Sequence, residues 1–176
     1  MSKFISDLKK IKQRARSHME RGAVTENYKA DLKAVLKVLN DVPATEIVCI
    51  LRYKRHYFMA SGINSDGAKA EFLQHANEEQ QHADWIATRI TQLNGEPNFN
   101  PEGLASRSHS EYSEGTDITS MLKEDLYAER IAIESYSEIA RWLGSDDSTT
   151  RKMIEDILKM EEEHAEDLKS LLEKMS

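Results

Sequence analysis

Two short motifs have the residue types and spacing to bind metal: Glu79-x-x-His82 and Glu161-x-x-His164. On an α-helix, residues i and i+3 share a face, with Cβ atoms about 5–6 Å apart. Each motif therefore aims a carboxylate and an imidazole at one point. Each is also preceded by a single glutamate at nearly the same distance, Glu46 by 33 residues and Glu129 by 32. All four glutamates sit on apolar stripes at helical spacing. Glu46 shares its face with Ile50, Tyr53, Tyr57 and Ala60, and Glu79 with Phe72, Ala76, Ala83, Ile86, Ile90 and Leu93. Glu129 lies among Leu122, Leu126, Ile133, Tyr136 and Leu143, and Glu161 among Ile154, Ile157, Ala165, Leu168 and Leu172. A carboxylate in a core costs several kcal/mol unless it is paired, protonated or coordinated. Four carboxylates and two imidazoles form an O₄N₂ set suited to two divalent iron or manganese ions with open positions. Four negative charges also cancel two divalent cations. A single Glu-x-x-His arises by accident in a glutamate-rich helix. Glu78, Glu162 and Glu163 are such neighbours and are expected to face solvent or a subunit contact.

Hydrophobic periodicity supplies the elements that would position this set. A first helix is expected over about 3–20, with Phe4, Leu8, Ile11, Ala15 and Met19 on one stripe. A second covers about 27–61 and is predicted to kink or restart at Pro43, which lacks a backbone donor, with Asp41 as the possible cap. Gly62 to Gly67 reads as a turn. A third helix spans about 67–93 and stops at Asn94-Gly95. Residues 96–116 hold two prolines and several serines without a period. A fourth helix runs about 117–143 and the last about 149–174. Apart from the first, the four long helices connect by short turn, long loop and short turn. This is the connectivity of a bundle with one crossover, an all-α fold. The chain thus divides into a basic amphipathic arm, residues 1–25, and a bundle domain, residues 26–176.

The 176 residues suffice for one domain with a sizeable core. Seven Gly, three Pro and 31% charged residues favour long helices over a many-turned β fold. No apolar run approaches the ~18 residues needed to span a bilayer, and the N-terminus lacks the apolar segment of a secretory signal. The single cysteine, Cys49, excludes an internal disulfide and a thiolate zinc site and fits a reducing compartment. A cytoplasmic location is therefore expected. The net charge of −7 is uneven. Residues 1–22 carry seven basic against two acidic side chains, a net of +5, which leaves −12 for the rest. An acidic body attracts cations and repels nucleic acid.

The stretches ATEIVCILRYKRHYF, NEEQQHADWIATRITQLNGEPN, EDLYAERIAIESY and KMEEEHAEDL resemble the ferritin-like superfamily, in particular its bacterioferritin and Dps-like branch with an intrachain di-iron centre. The resemblance extends over residues 30–175. It implies a ferritin-like four-helix bundle holding two iron ions per chain, with manganese or zinc as possible substitutes. It further implies that Glu46 and Glu129 are terminal ligands, that Glu79 and Glu161 bridge, and that His82 and His164 each bind one ion. Tyr53 would be a near-site electron donor and Asp125 a carboxylate orienting a metal-bound imidazole. Gln80 stands where bacterioferritin carries its haem-ligating methionine, so no haem is expected. Classical animal ferritin lacks the second motif's histidine, present here as His164. The chain ends twelve residues after His164, short of the fifth helix of 24-subunit cages. A homo-oligomeric shell of 12 subunits is therefore expected over one of 24. Dps proteins themselves build their site between subunits, and Dps-like proteins with an intrachain centre often carry a cysteine pair, whereas Cys49 is alone.

The implied activity is a ferroxidase, oxidising Fe²⁺ to Fe³⁺ with dioxygen or hydrogen peroxide and storing the product in a cage. Two other readings compete. One is a di-metal oxidase or peroxidase without storage, although the Cys₄ site common in rubrerythrin-like proteins is missing. The other is a Dps-like DNA-protecting protein with a vestigial site. The neat stripe on the basic arm favours docking on the bundle or a neighbouring subunit over contact with DNA, and Asp7 and Glu20 weigh against a mitochondrial presequence. Tyr57 reads as a core aromatic, His75 as a hydrogen-bonded core histidine or an accessory metal site, and Cys49 as a small buried hydrophobe. Trp85 and Trp142 lie off the ligand stripes and read as packing or subunit contacts.

Overall fold

Capping side chains fix where the helices begin. The computed structural model describes residues 7–62 and 65–175; Phe4 lies outside them. Asp7 starts α1 (Leu8–Arg16) by accepting from the Lys9 and Lys10 amides. Asp31 does the same for α2 (Leu32–Met59), accepting from Lys33 and Ala34 at 3.0 and 3.1 Å. α3 is Ser65–Gln92 and α4 the single turn Leu104–Arg107. Asp117 and Ser120 form a reciprocal capping box on α5 (Ile118–Leu143), and Asp147 caps α6 (Ser148–Lys174). All regular elements of the described residues are helical.

Several expectations need correction. The N-terminal helix does not run to residue 20. His18 adopts a left-handed φ of 51°, which breaks it before a 3₁₀ turn over Met19–Arg21. No residue of α1 is buried. Leu8, Ile11 and Met19 are 64%, 40% and 74% exposed, so the expected stripe does not dock on its own bundle. Residues 27–31 form turns rather than helix. α2 passes through Pro43 without restarting, and Asp41 caps nothing. Proline removes one helical hydrogen bond, and the surrounding burial of Val42, Ala44, Thr45 and Glu46 holds the helix through it. The crossover, expected to be featureless, contains α4.

The two hairpins α2/α3 and α5/α6 pack so that α2 faces α5 and α3 faces α6. Their apolar residues form two separate clusters. One contains Val35, Leu39, Ile86, Ile90, Leu143, Ile154 and Ile157, and the other Tyr53, Phe72, Ala76, Met121, Leu122 and Leu168. On every helix the glutamate lies between the residues of one cluster and those of the other. The candidate ligands thus form a polar layer sealed by hydrophobic packing on both sides. The crossover is tied along α2: the His109 amide donates to Thr45 Oγ1 (2.9 Å), and Arg52 Nη1 donates to the Glu111 carbonyl (2.8 Å).

Candidate metal centre

Helical periodicity turns all six residues into one space. Glu46, Glu79, Glu129, Glu161, His82 and His164 are each at most 2% exposed. Their donor atoms form two four-residue groups, Glu46–Glu79–His82–Glu161 and Glu79–Glu129–Glu161–His164, in each of which the atoms lie within 4.8 Å of one another. Glu79 and Glu161 belong to both. Each imidazole presents Nδ1 to the carboxylates. His82 Nδ1 is 3.1 Å from Glu79, 3.1 Å from Glu161 and 3.5 Å from Glu46. His164 Nδ1 is 3.5 Å from Glu161, 3.7 Å from Glu79 and 3.8 Å from Glu129.

The hydrogen bonding of this layer is incomplete. Glu79 Oε1, Glu129 Oε2, both Glu161 oxygens and His164 Nδ1 are buried without a directed hydrogen-bond partner. Buried polar atoms are rarely left so, and these five all point into the space the two groups enclose. Burial and the neighbouring Glu79 charge push Glu46 well up, and burial with Glu79 and Glu129 pushes Glu161 up to about 8. Burial opposes charging of the imidazoles, but the surrounding carboxylates outweigh it, raising His82 and lifting His164 to about 12. Burial would also lift Glu129, yet the nearby His164 imidazole and the Tyr53 hydrogen bond leave it lowered. The donor set fits a pair of divalent cations, which would satisfy the orphaned oxygens and neutralise the repelling charges together.

Two tyrosines complete the layer. Tyr53 donates a short hydrogen bond to Glu129 Oε1 and Tyr136 one to Glu46 Oε1. Tyr53 follows Glu46 by seven residues and Tyr136 follows Glu129 by seven, so each hairpin's tyrosine serves the other hairpin's glutamate. Tyr136, read from sequence only as stripe packing, is thus a polar contact of the site, and the shared +7 spacing was the signal for it.

Asp125 does not reach a candidate ligand histidine. It accepts from Arg52 Nε at 2.7 Å and lies 2.8 Å from His56 Nδ1, and His56 Nε2 meets the Ser113 carbonyl at 3.0 Å. This buried triad fastens α2 to α5 and to the crossover. Glu78, expected to face solvent or a subunit contact, instead places its Oε2 2.8 Å from His164 Nε2. His82 Nε2 meets Met160 Sδ at 3.3 Å, and Trp85 packs on the His82 ring at 5.7 Å. Trp142 is half-exposed and Tyr57 packs partly buried on the second cluster. Cys49 is buried beside Arg52, its Sγ 3.6 Å from Nη2. No described helix is long and apolar enough to cross a membrane.

The comparisons with known proteins agree with this fold. The ferritin-like domain model matches residues 36–176. The bacterioferritin of Desulfovibrio desulfuricans is 28% identical over 136 residues, covering 76% of this chain and 72% of that protein. A bacterioferritin-related protein of Bacteroides fragilis, described as a dodecameric thioferritin, superposes with a TM-score of 0.80 at 33% identity, covering 84% of this chain and 89% of the other. Dps from Thermosynechococcus elongatus shares the fold at a TM-score of 0.76 and 21% identity, over 80% and 90% of the two chains. With the family model matched across all four long helices and the six donors gathered between them, the chain belongs to the ferritin-like family.

Proposed function

We propose that this chain is a ferroxidase that oxidises Fe²⁺ to Fe³⁺ at an intrachain centre. Glu46 and His82 would hold one ion, Glu129 and His164 the other, and Glu79 and Glu161 both. One observation carries the reading: two four-donor groups share two carboxylates, and the orphaned buried oxygens all face the space between them. Two Fe²⁺ release two electrons. Hydrogen peroxide accepts two with two protons to give water, and dioxygen accepts two with two protons to give hydrogen peroxide.

The protein's own contribution is placement and proton management. His82 and His164 must give up protons for Nδ1 to coordinate, so loading releases protons to solvent. Glu78 accepts from the far nitrogen of His164 and fixes that ring's direction. Tyr53, hydrogen-bonded to Glu129, would supply a further electron. The apolar clusters on either side exclude bulk water from the layer.

The Bacteroides fragilis relative at 33% identity supports a 12-subunit shell for this chain, in which oxidised iron collects. Exposed Leu51, Phe58, Met59, Tyr127 and Trp142 are apolar surface that such assembly would cover.

The test is stopped-flow oxidation of Fe²⁺ by hydrogen peroxide and by air, following ferric absorbance in wild type, Glu79→Ala and Glu161→Ala. Loss of rapid oxidation with helicity and assembly kept is expected. Full wild-type rates in both variants would refute the assignment. Soluble uptake far beyond a few ions per chain identifies storage, and its absence an oxidase without storage.

A further inference from the structure

On the seam between α3 and α6, next to the layer just described, His75 is fully buried yet has one nitrogen without a hydrogen-bond partner. The network assigns its proton. Tyr53 spends its O–H on Glu129, so at the 3.2 Å contact with His75 Nδ1 the tyrosine oxygen can only accept. The proton therefore sits on Nδ1, and Nε2 of the neutral ring carries a lone pair. That lone pair faces two carboxylates, Glu71 Oε2 at 3.6 Å and Asp167 Oδ2 at 3.8 Å. Three acceptors converge with no donor among them.

We propose that Glu71, His75 Nε2 and Asp167 form a third divalent-cation site, separate from the two groups that share Glu79 and Glu161. With ligand bonds of about 2.1 Å, the two His75 Nε2–carboxylate separations would subtend roughly 120–130° at a shared ion, and all three donor atoms lie within 4.8 Å of one another. The separations seen thus close around a cation with small side-chain adjustments. One imidazole and two carboxylates leave open positions for water, a borderline-hard set suited to Fe²⁺, Mn²⁺ or Zn²⁺.

The site's location suggests its use. Glu71 and Asp167 are 30% and 52% exposed and reachable from solvent, while the His75 ring stacks on His164 with centroids 4.0 Å apart. A cation held there lies one imidazole away from the inner layer. It occupies a loading position on the route inward. This role rests on the di-metal reading, but binding at the site does not.

Titration calorimetry of the assembled protein with Zn²⁺, which is redox-inert, tests the site. Glu71→Gln/Asp167→Asn removes both outer carboxylates without touching the inner six residues. Wild type is expected to take up three ions per chain and this variant two. Equal uptake by wild type and the variant overturns the third site. Glu79→Gln/Glu161→Gln tests the inner reading separately and should retain the single ion held by Glu71, His75 and Asp167. If this second variant instead binds as many ions as wild type, the di-metal centre fails, while the third site still stands or falls on the Glu71→Gln/Asp167→Asn result.

Discussion

Replacing Glu161 with glutamine should move stability in opposite directions without and with metal. Burial, with the charges of Glu79 and Glu129, raises Glu161 from 4.5 to about 8. A native pKa above the unfolded one favours the fold below about pH 4.5 and works increasingly against it as pH rises towards 8. At pH 7 the gap already traversed is about 2.5 pH units, which at ~1.36 kcal/mol each sets a ceiling near 3 kcal/mol. Glutamine keeps the shape and needs no proton, so the metal-free Glu161→Gln protein should exceed wild type by up to that amount at pH 7. Near pH 4 the difference should vanish. For a chain of this length, 3 kcal/mol corresponds to roughly 6–12 °C in melting temperature. With Zn²⁺ at 100 times its dissociation constant, each inner site adds about 2.7 kcal/mol to wild type, and a variant lacking a shared carboxylate forfeits most of this. The order of melting temperatures should therefore invert between chelator and Zn²⁺. Scanning calorimetry at pH 4, 7 and 8, with the assembly state matched by sedimentation, gives the answer. A variant less stable than wild type in chelator, or one gaining as much from Zn²⁺, would refute the reasoning.

Arg52→Met strips a buried Asp125 of its cationic partner and should cost about 3–5 kcal/mol in urea unfolding; hydrogen exchange should quicken across residues 108–113 while Zn²⁺ stoichiometry holds, and a cost under 1 kcal/mol would contradict the triad's role. Glu78→Ala should weaken metal binding about 10- to 100-fold, and calorimetry showing unchanged affinity would remove Glu78 as the group that positions His164. Tyr53→Phe should abolish the tyrosyl signal in electron paramagnetic resonance after peroxide addition while leaving metal stoichiometry intact; a persisting signal would transfer the donor role to another residue. Asp147→Ala should cost about 2 kcal/mol through loss of the α6 cap and of the contacts to Arg89 and Tyr28. Burial alone would lift Asp147, but Thr150, Tyr28 and Arg89 hold its carboxyl below the usual range. Its stabilisation is therefore complete above about pH 4 and lost as pH falls through the lowered value. The gap between wild type and Asp147→Ala should narrow in acid, and a gap constant with pH would speak against the charged contact.

The six inner residues were legible because a helix leaves little choice: apolar stripes oriented each glutamate inward, and i, i+3 spacing brought each histidine along. The crossover connectivity followed equally from turn and loop lengths. What escaped was set by packing across the sequence. Glu78 lies one residue before Glu79, about 100° round the helix, and nothing local says that α6 brings His164 to that side. Arg52 and His56 find their partners at Asp125, Ser110, Glu111 and Ser113, at least 57 residues away, most of them in a segment without periodicity. Local rules also overstated Pro43, since one missing hydrogen bond is a small loss beside a buried helix face. The basic arm misled for the opposite reason: its stripe is real, but a stripe does not name the surface that covers it.

The two hairpins repeat each other where the inner layer needs symmetry and diverge around it. Glu46 and Glu129, Glu79 and Glu161, His82 and His164, and Tyr53 and Tyr136 form matched pairs, and each tyrosine crosses to the opposite glutamate. One turn before Glu79 and Glu161 the match ends: His75 in α3 corresponds to Ile157 in α6, and two turns before, Glu71 corresponds to Met153. One turn before Glu46 and Glu129, Asp125 in α5 corresponds to Val42 in α2. The polar additions thus fall one to each hairpin. Asp125, with Arg52 and His56, ties the crossover to α2 and α5. His75, which touches Tyr53 and stacks on His164, faces the partly exposed Glu71 and Asp167. Tyr53 thus touches His75, which faces two outer carboxylates, while Tyr136 packs within an apolar cluster; on the proposed di-metal reading, entry and electron supply would be confined to a single side of an otherwise symmetric centre.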